Sequence, residues 1–328
     1  MKMKYLSMLL KILRGQCLFN NVFITTDCTC RCVMCNFWKL EKQYMAKDTF
    51  TQTLNALERL GSYSISLTGG EPLLHPSYFD FVKQANKRGF YTNSSTNGTL
   101  LTEKRVRKIK EAGLDSIFVS IDSLCPQVAY QIRQNSRQLQ QALNGMKLLK
   151  KYGIPCSAIT IPGKHNIKEF RNIVIKMNEV YDVPVILCFP DWYMGTLDNN
   201  YDFTPEETSK FIDELISLKK EGRRIANSTT YLNDIKSAYN RCKRQITCYG
   251  GSYMLNVYWN GKVTPCFKKQ NTLCHISELT QNYLIKKPCF ECLNQCFLEL
   301  SYMAVCIKEH NYTTMLKEGS FTLTNFLS

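Results

Sequence analysis

Hydrophobic and polar positions along residues 21–190 repeat with two alternating periods, which predict strands separated by amphipathic helices. Apolar, β-branched runs predict six strands, at 22–26, 64–68, 91–95, 116–121, 156–161 and 183–188. Helical periodicity predicts helices at 49–60, 78–87, 103–112, 137–151 and 168–180. Because alternating strands and helices form parallel sheets with helices packed outside, the pattern predicts an α/β protein. Six units fall short of the eight that close a full barrel.

The unusual residues of this region follow the ends of the predicted strands. Four cysteines at 28–35 follow the first strand, a Gly-Gly-Glu-Pro run at 69–72 follows the second, and Thr-Asn-Gly at 96–98 follows the third. In parallel α/β folds, binding and catalytic groups gather at the carboxyl ends of the strands. The sequence therefore predicts a functional site at that end of the sheet.

The last third of the chain has a different composition. A helix is predicted over 201–224, with Thr204 and Pro205 as its start signal. Beyond it cysteines become frequent, and Asn260-Gly261 between apolar runs at 254–259 and 262–264 predicts a β-hairpin. We divide the chain into an N-terminal amphipathic helix (1–20), the α/β region (21–200), a linking helical segment (201–240) and a small cysteine-rich domain (241–328).

Composition and charge narrow the functional classes. The 328 residues are 44% hydrophobic and 21% charged, which supports a packed core and excludes wholesale disorder. A net charge of +15 favours an anionic partner, which includes nucleic acid, a phosphorylated substrate, an acidic protein or a membrane surface. No apolar run approaches the roughly 18 residues of a membrane span, and no signal-peptide cleavage pattern is present. The 16 cysteines then predict a reducing, cytoplasmic location with metal or redox chemistry.

Cys28, Cys32 and Cys35 are spaced C-x3-C-x2-C directly after a predicted strand. Three thiolates on one short loop can bind three irons of a 4Fe–4S cube and leave the fourth iron open for a cosubstrate. The same spacing also fits a zinc site that lacks its fourth ligand, or buried free cysteines, and no histidine lies nearby to complete a zinc site. Cys30 leaves further pairings open.

The runs at 28–35, 69–72, 95–99 and 112–122 together resemble, in order and spacing, the radical S-adenosylmethionine (radical SAM) enzymes. The resemblance covers residues 20–190 and implies a partial (β/α)6 TIM-like barrel, in agreement with the six units. It implies that Cys28, Cys32 and Cys35 ligate a 4Fe–4S cluster whose open iron binds SAM. One electron from the cluster would then cleave SAM into methionine and a 5′-deoxyadenosyl radical.

The resemblance also implies the residues that bind SAM. Met34 would lie beside the adenine, and the exposed backbone of Gly69, Gly70 and Glu71 would meet the SAM amino group, where a glycine offers no Cβ to block approach. Ser95, Asn97, Ser120 and Asp122 would contact the methionine and ribose parts. Arg133 is expected either to pair with the SAM carboxylate or to be a solvated arginine at a helix start. Cys30 is expected to pack in the interior.

The C-terminal cysteines are similar to the SPASM/twitch extension of radical SAM enzymes, which carries auxiliary iron–sulfur clusters. The resemblance implies one auxiliary 4Fe–4S cluster, with Cys296 as a replacement for one of its last two ligands; the expected ligands are Cys248, Cys266, Cys289 and Cys292. A two-cluster form that also uses Cys242, Cys296 and Cys306 stays open. A zinc ribbon built from the same four cysteines is the alternative outside this family.

The resemblance implies a radical SAM enzyme that abstracts hydrogen from a peptide or small-molecule substrate, with an electron donor such as flavodoxin or ferredoxin. Cys188, at the end of the sixth strand, is expected either to pack in the core or to donate a hydrogen atom to a substrate radical. A helix over 4–14 with Lys4, Lys11 and Arg14 on one face either closes the barrel base or contacts an anionic membrane, which would suit a lipid-linked substrate. A basic, zinc-binding nucleic-acid module explains the charge but neither the 69–72 motif nor the six units, so nucleic acid is not the expected partner.

Overall fold

The structure is a computed structural model that describes residues 10–11, 13–14, 16, 19–189, 201, 203–285 and 287–309. Its first six strands are β1 (Phe19–Thr25), β2 (Ser64–Gly69), β3 (Tyr91–Thr96), β4 (Ser116–Ser120), β5 (Cys156–Thr160) and β6 (Val185–Leu187). They lie side by side in chain order, and each pairs in parallel with the next. The predicted α/β class and the six-unit partial barrel are confirmed.

Helices between the strands cover the sheet with one buried face each. They are α1 (Lys47–Arg59), α2 (Tyr78–Lys87), α3 (Glu103–Ala112), α4 (Pro126–Arg133), α5 (Gln138–Lys151) and α6 (Phe170–Glu179). On α1, Phe50, Leu54 and Leu57 recur at helical spacing and are fully buried. Short 3-10 turns lie at Phe37–Lys39, Pro72–Leu74, Ile167–Glu169, Ile276–Glu278 and Gln281–Tyr283. The sequence pattern did not predict α4, which ends at Arg133 beside the cysteine loop.

The C-terminal third begins with two helices, α7 (Pro205–Lys220) and α8 (Thr229–Tyr239). The α7 helix is shorter than the predicted 201–224 because a capping box sets its start: the Thr204 hydroxyl accepts from the Glu207 amide and the Glu207 carboxylate accepts from the Thr204 amide. Gly222, at φ +84°, follows its end. The sequence pattern did not predict α8.

The predicted hairpin is confirmed as β7 (Met254–Val257) and β8 (Lys262–Thr264), which pair antiparallel and are followed by β9 (Cys274–His275) and α9 (Gln295–Lys308). Unexpectedly, β7 pairs in parallel with β1, with Phe19 opposite Met254. One nine-stranded sheet therefore runs from β6 to β9, and the C-terminal strands extend the barrel sheet at its β1 edge. The domain boundary near residue 240 stays a prediction.

Most of the predicted N-terminal helix, including Lys4, lies outside the described residues. Lys11 is described, and its ammonium donates to the carbonyls of Gly61 and Ser62 at 2.7 and 3.3 Å, just beyond the end of α1. This contact ties the segment to the protein, as the barrel-closing interpretation expects. Across the described ranges, the helices are all too short or too polar to cross a membrane.

Candidate active site

The cysteine loop leaves the carboxyl end of β1 and brings three thiols together. Burial, followed by the nearby negative charges of Glu71, Cys32 and Cys35, raises the pKa of the Cys28 thiol to about 12. The pKa of Cys35 is raised first by burial and then by the negative charge of Cys32. The Cys30 amide donates to the Cys28 sulfur at 3.4 Å. The structure thus groups the three predicted ligands on one loop.

Backbone hydrogen bonds hold this loop against the end of α4. The amides of Arg31 and Val33 donate to the carbonyls of Arg133 and Ile132, at 3.1 and 3.0 Å. The Asn135 side-chain amide donates to the Thr29 carbonyl at 2.9 Å. The helix that the sequence pattern missed is therefore the support on which the cysteine loop rests.

Gly69 and Gly70 are required by the close approach of the backbone at the end of β1. A Cβ at Gly69 would lie 2.2 Å from the Thr25 carbonyl oxygen, and one at Gly70 would lie 2.2 Å from that of Asp27. The amides of Gly70 and Glu71 donate to these same two oxygens, at 2.8 and 2.7 Å. The missing Cβ atoms thus make room for the chain that leads into Cys28, which is a steric reason beyond the one that the sequence suggested.

The Glu71 side chain is fully buried and joins the ends of β2 and β3. Its carboxylate accepts from the Thr96 hydroxyl and the Asn97 amide, both at 2.8 Å, and from the Leu73 amide at 3.2 Å. Burial raises the pKa of Glu71 to about 7, although these donors act in the opposite direction. The Glu71 carboxylate therefore orders the strand ends around the site.

Asn97 connects the end of β3 to the cysteine loop. Its side-chain nitrogen donates to the Thr29 hydroxyl at 2.9 Å and to the Cys28 sulfur at 3.6 Å. Its side-chain oxygen accepts from the Thr99 amide and hydroxyl at 2.9 and 2.7 Å. The polar atoms of Asn97 are thus directed at the protein, and Asn97 orients the Cys28 thiol.

Arg133 and Asp122 form a buried ion pair beside Cys32. The Arg133 Nε donates to the Asp122 carboxylate, and its Nη1 lies 3.6 Å from the Cys32 sulfur. Asp122 also accepts from the Ile161 amide at 3.0 Å. Arg133 is only 9% exposed, so its interpretation as a solvated arginine at a helix start is wrong.

The charge of this pair acts on the cysteine loop. A hydrogen bond from the Cys30 thiol, and then the positive charge of Arg133, lower the pKa of Cys32 below its usual value. Cys30 is buried, as expected, but it also donates to a predicted ligand. The environment therefore favours the thiolate, the form that binds iron.

A cavity of about 620 Å³ lies in the barrel interior next to this loop. Of the predicted SAM-binding residues, Met34, Ser95, Ser120 and Arg133 line it, whereas Gly69, Gly70, Glu71, Asn97 and Asp122 do not. Cys188 lines it at the end of β6. The sequence pattern missed a second set of lining residues from the start of α9, and only its small amide and thiol side chains hinted at it: Asn294, Gln295 and Cys296.

Three C-terminal cysteines form a second thiol group. Cys248 and Cys289 exchange two backbone hydrogen bonds, each of 2.9 Å. The Gly250 amide donates to the Cys248 sulfur at 3.4 Å, and the Lys269 amide donates to the Cys266 sulfur at 3.1 Å. Burial, with Cys289 and Cys266 nearby, raises the pKa of Cys248 to about 11. The structure thus brings together three of the four predicted auxiliary ligands.

The remaining C-terminal cysteines lie in different surroundings. The Cys292 carbonyl accepts from Arg244 at 2.7 Å. Cys296 lies against Cys188, and the hydrogen bond between their thiols lowers the pKa of Cys296 and raises that of Cys188. Cys242 is exposed and Cys306 is buried.

The chemistry of both thiol groups fits iron–sulfur clusters. Among the described residues, no three His, Cys, Asp or Glu side chains are arranged to hold a metal ion. A 4Fe–4S cube uses a different arrangement, because each thiolate binds its own iron. Amides that donate to sulfur, as at Cys28, Cys248 and Cys266, compensate the negative charge of ligating thiolates.

Comparison with known proteins agrees with this geometry. Residues 22–176 match the model of the Radical SAM superfamily. The chain is 27% identical over 267 residues to the tungsten-containing aldehyde ferredoxin oxidoreductase cofactor-modifying protein of Pyrococcus furiosus, over 76% of this chain and 70% of that protein. It is 24% identical over 263 residues to the AdoMet-dependent heme synthase of Methanosarcina barkeri, over 74% of each chain.

A solved structure extends the likeness to the C-terminal third. Native anSMEcpe with bound AdoMet and Cp18Cys peptide superposes with a TM-score of 0.64 at 17% identity, over 94% of this chain and 98% of that chain. The two proteins therefore share a fold along nearly the whole chain.

Proposed function

This chain belongs to the radical SAM superfamily, whose enzymes use a 4Fe–4S cluster and S-adenosylmethionine, and we propose that Cys28, Cys32 and Cys35 hold that cluster. The observation that carries the assignment is the grouping of these three thiols at the carboxyl end of β1, beside the barrel cavity. When bound there with SAM, the cluster supplies the electron that cleaves SAM to methionine and a 5′-deoxyadenosyl radical. The chain is therefore an enzyme that starts a radical reaction on a substrate in the cavity.

The chain's own residues bind and orient the reactants. Met34, Ser95 and Ser120 line the cavity, where Met34 would offer an apolar surface to the adenine and the two hydroxyls would bind polar parts of SAM. Arg133, held by Asp122, provides a fixed positive charge between the cavity and Cys32, which suits the SAM carboxylate. Gly69, Gly70, Glu71 and Asn97 act as positioning residues, because they fix the backbone that leads into Cys28.

The substrate class is a peptide or a small molecule. The names of the two relatives concern cofactor modification and haem synthesis, and the solved neighbour contains a peptide. A cavity of about 620 Å³ suits one small molecule or a peptide side chain beside SAM. The +15 charge favours an acidic electron donor of the flavodoxin or ferredoxin type. No observation favours the lipid-linked substrate or the zinc-binding nucleic-acid module.

The C-terminal thiol group supports an auxiliary 4Fe–4S cluster in a twitch-type extension. Cys248, Cys266 and Cys289 supply three ligands, and Cys292, three residues beyond Cys289, is the proposed fourth. Cys296 is less suited to this set because its thiol contacts Cys188.

The test is the combined change of Cys28, Cys32 and Cys35 to Ala in anaerobically reconstituted protein. We expect 5′-deoxyadenosine formation under dithionite to disappear while the auxiliary iron and its absorbance remain. A control with Cys125 and Cys156 changed to Ala removes thiols outside both groups and should keep full SAM cleavage. Continued 5′-deoxyadenosine formation by the triple variant would show that the assignment of the cluster ligands is wrong.

A further inference from the structure

The barrel cavity contains a pair of thiols that the cluster assignments do not use. Cys188 directly follows β6 and Cys296 lies in the first turn of α9, and both line the cavity together with Met34 and Arg133. The Cys188 thiol donates a hydrogen bond to the Cys296 sulfur. Both sulfurs also lie near the Gln295 Oε1, at 3.6 Å for Cys188 and 3.5 Å for Cys296. Residues 108 positions apart in sequence thus form one polar group in the wall of the cavity.

Packing alone does not account for Cys188. Its neighbours Leu187 and Phe189 belong to the hydrophobic core, and their exposures are 0% and 3%. Cys188 lies two residues beyond Ile186, which also lines the cavity, and its thiol remains partly accessible from the cavity. The Cys296 sulfur accepts the S–H bond of Cys188 and so orients it at this wall, and the Cys296 thiol in turn lies 3.5 Å from the Gln295 Oε1.

We propose that Cys188 is the hydrogen-atom donor that quenches a carbon-centred radical in this cavity, with Gln295 and Cys296 as positioning residues. This role rests on the proposed radical function. The S–H bond is weaker than most C–H bonds, so transfer of its hydrogen atom to a carbon radical is downhill. The S–H bond of Cys188 breaks homolytically, a C–H bond forms on the substrate, and the sulfur retains the unpaired electron.

The electron balance closes with a reductant that the enzyme already needs. The Cys188 sulfur radical takes one electron and one proton to become a thiol again, and a low-potential one-electron donor supplies the electron. Because the substrate loses one hydrogen atom and regains another, its oxidation level does not change. The proposed role therefore predicts a redox-neutral modification, such as inversion or rearrangement at carbon.

The 5′-deoxyadenosyl radical made without added substrate serves as the carbon-radical probe. In D2O buffer the Cys188 thiol carries deuterium, and SAM does not exchange at its 5′ carbon. Dithionite is the reductant, and added thiols are omitted because they too would carry deuterium. We expect wild-type 5′-deoxyadenosine to gain one deuterium by mass spectrometry. Cys188→Ser should lose this deuterium, because a serine O–H bond is too strong to donate a hydrogen atom.

Variants at two other cysteines of the cavity test whether the deuterium comes from the Cys188 thiol itself. Cys156→Ser removes another thiol of the same cavity, at the start of β5, and should keep the deuterium. Cys296→Ser removes the second thiol of the pair, and its 5′-deoxyadenosine should contain more deuterium than that of Cys188→Ser, since a serine oxygen still accepts the hydrogen bond from Cys188. Equal deuterium in wild type and Cys188→Ser, or loss only in Cys296→Ser, would overturn the role of Cys188.

The same experiment distinguishes failure of the two proposals. The total yield of 5′-deoxyadenosine and the iron content report radical formation and intact clusters in every variant. Wild-type protein that makes no 5′-deoxyadenosine would overturn the proposed function, and the role of Cys188 with it. If 5′-deoxyadenosine forms in full yield but its deuterium content is the same with and without Cys188, only the hydrogen-donor role is overturned.

Discussion

The sharpest steric prediction concerns Gly70. The position that a Cβ would occupy on this residue is taken by the backbone just before Cys28. In Gly70→Ala the new Cβ would lie 2.2 Å from the Asp27 carbonyl oxygen and 2.6 Å from that of Thr26. Real Cβ contacts essentially never fall below 3.0 Å, so the two segments must separate by at least about 0.8 Å (3.0 − 2.2). Both neighbours are backbone atoms, so no side chain can rotate away to relieve the contact.

The expected cost follows from this displacement. Overpacking of this kind destabilises a protein by about 1–3 kcal/mol. The shift also disturbs the hydrogen bonds from Gly70 and Glu71 to Thr25 and Asp27. A displacement of about 1 Å at a reacting group can cost about 100-fold in rate. We therefore expect 5′-deoxyadenosine formation under dithionite to fall by about 100-fold, a larger loss than the change in stability implies.

Gly89→Ala is the matched control. Gly89 has φ +82° but no atom within 4 Å of its ideal Cβ, so this change tests backbone strain without a clash. It should cost about 1–2 kcal/mol in urea unfolding and leave the rate of SAM cleavage unchanged. If Gly70→Ala cleaves SAM at the wild-type rate with normal iron content, the close approach at Gly70 does not position the cysteine loop.

Three further predictions concern cluster number and buried charge. Reconstituted protein should contain about eight irons per chain by chemical analysis, and about twelve would indicate two auxiliary clusters. Burial raises the pKa of Glu71 from 4.5 to about 7, so the folded protein binds a proton that the unfolded chain has released. The free energy of unfolding should therefore fall by about 3 kcal/mol as the pH rises from about 4.5 to 7. Urea titrations of Glu71→Gln should show a weaker dependence of this free energy on pH, and an unchanged dependence would contradict the assignment to Glu71. Arg133→Met leaves Asp122 buried without its cation and should lower the free energy of unfolding, measured in urea, by about 3–5 kcal/mol. The double variant Asp122→Asn/Arg133→Met removes both charges and should lose less.

The predicted barrel elements match the structure because their periods reflect local geometry. The helices predicted at 78–87 and 103–112 have the observed bounds, and the predicted hairpin turns at Asn260-Gly261. Helix α4 escaped prediction because its eight residues give little more than two turns of periodicity; Pro126 occupies its first turn. Its role as the support of the cysteine loop shows only in the hydrogen bonds that it makes.

The sequence by itself determined which residues share a loop or a strand end, since spacing along the chain directly limits the distance between neighbours. This is why the grouping of Cys28, Cys32 and Cys35 could be predicted. Only the tertiary structure decided which distant residues meet: Arg133 with Asp122 and Cys32, β7 beside β1, and Cys188 against Cys296. Such contacts depend on how whole elements pack and in which register, and periodicity along the chain carries no information about that choice.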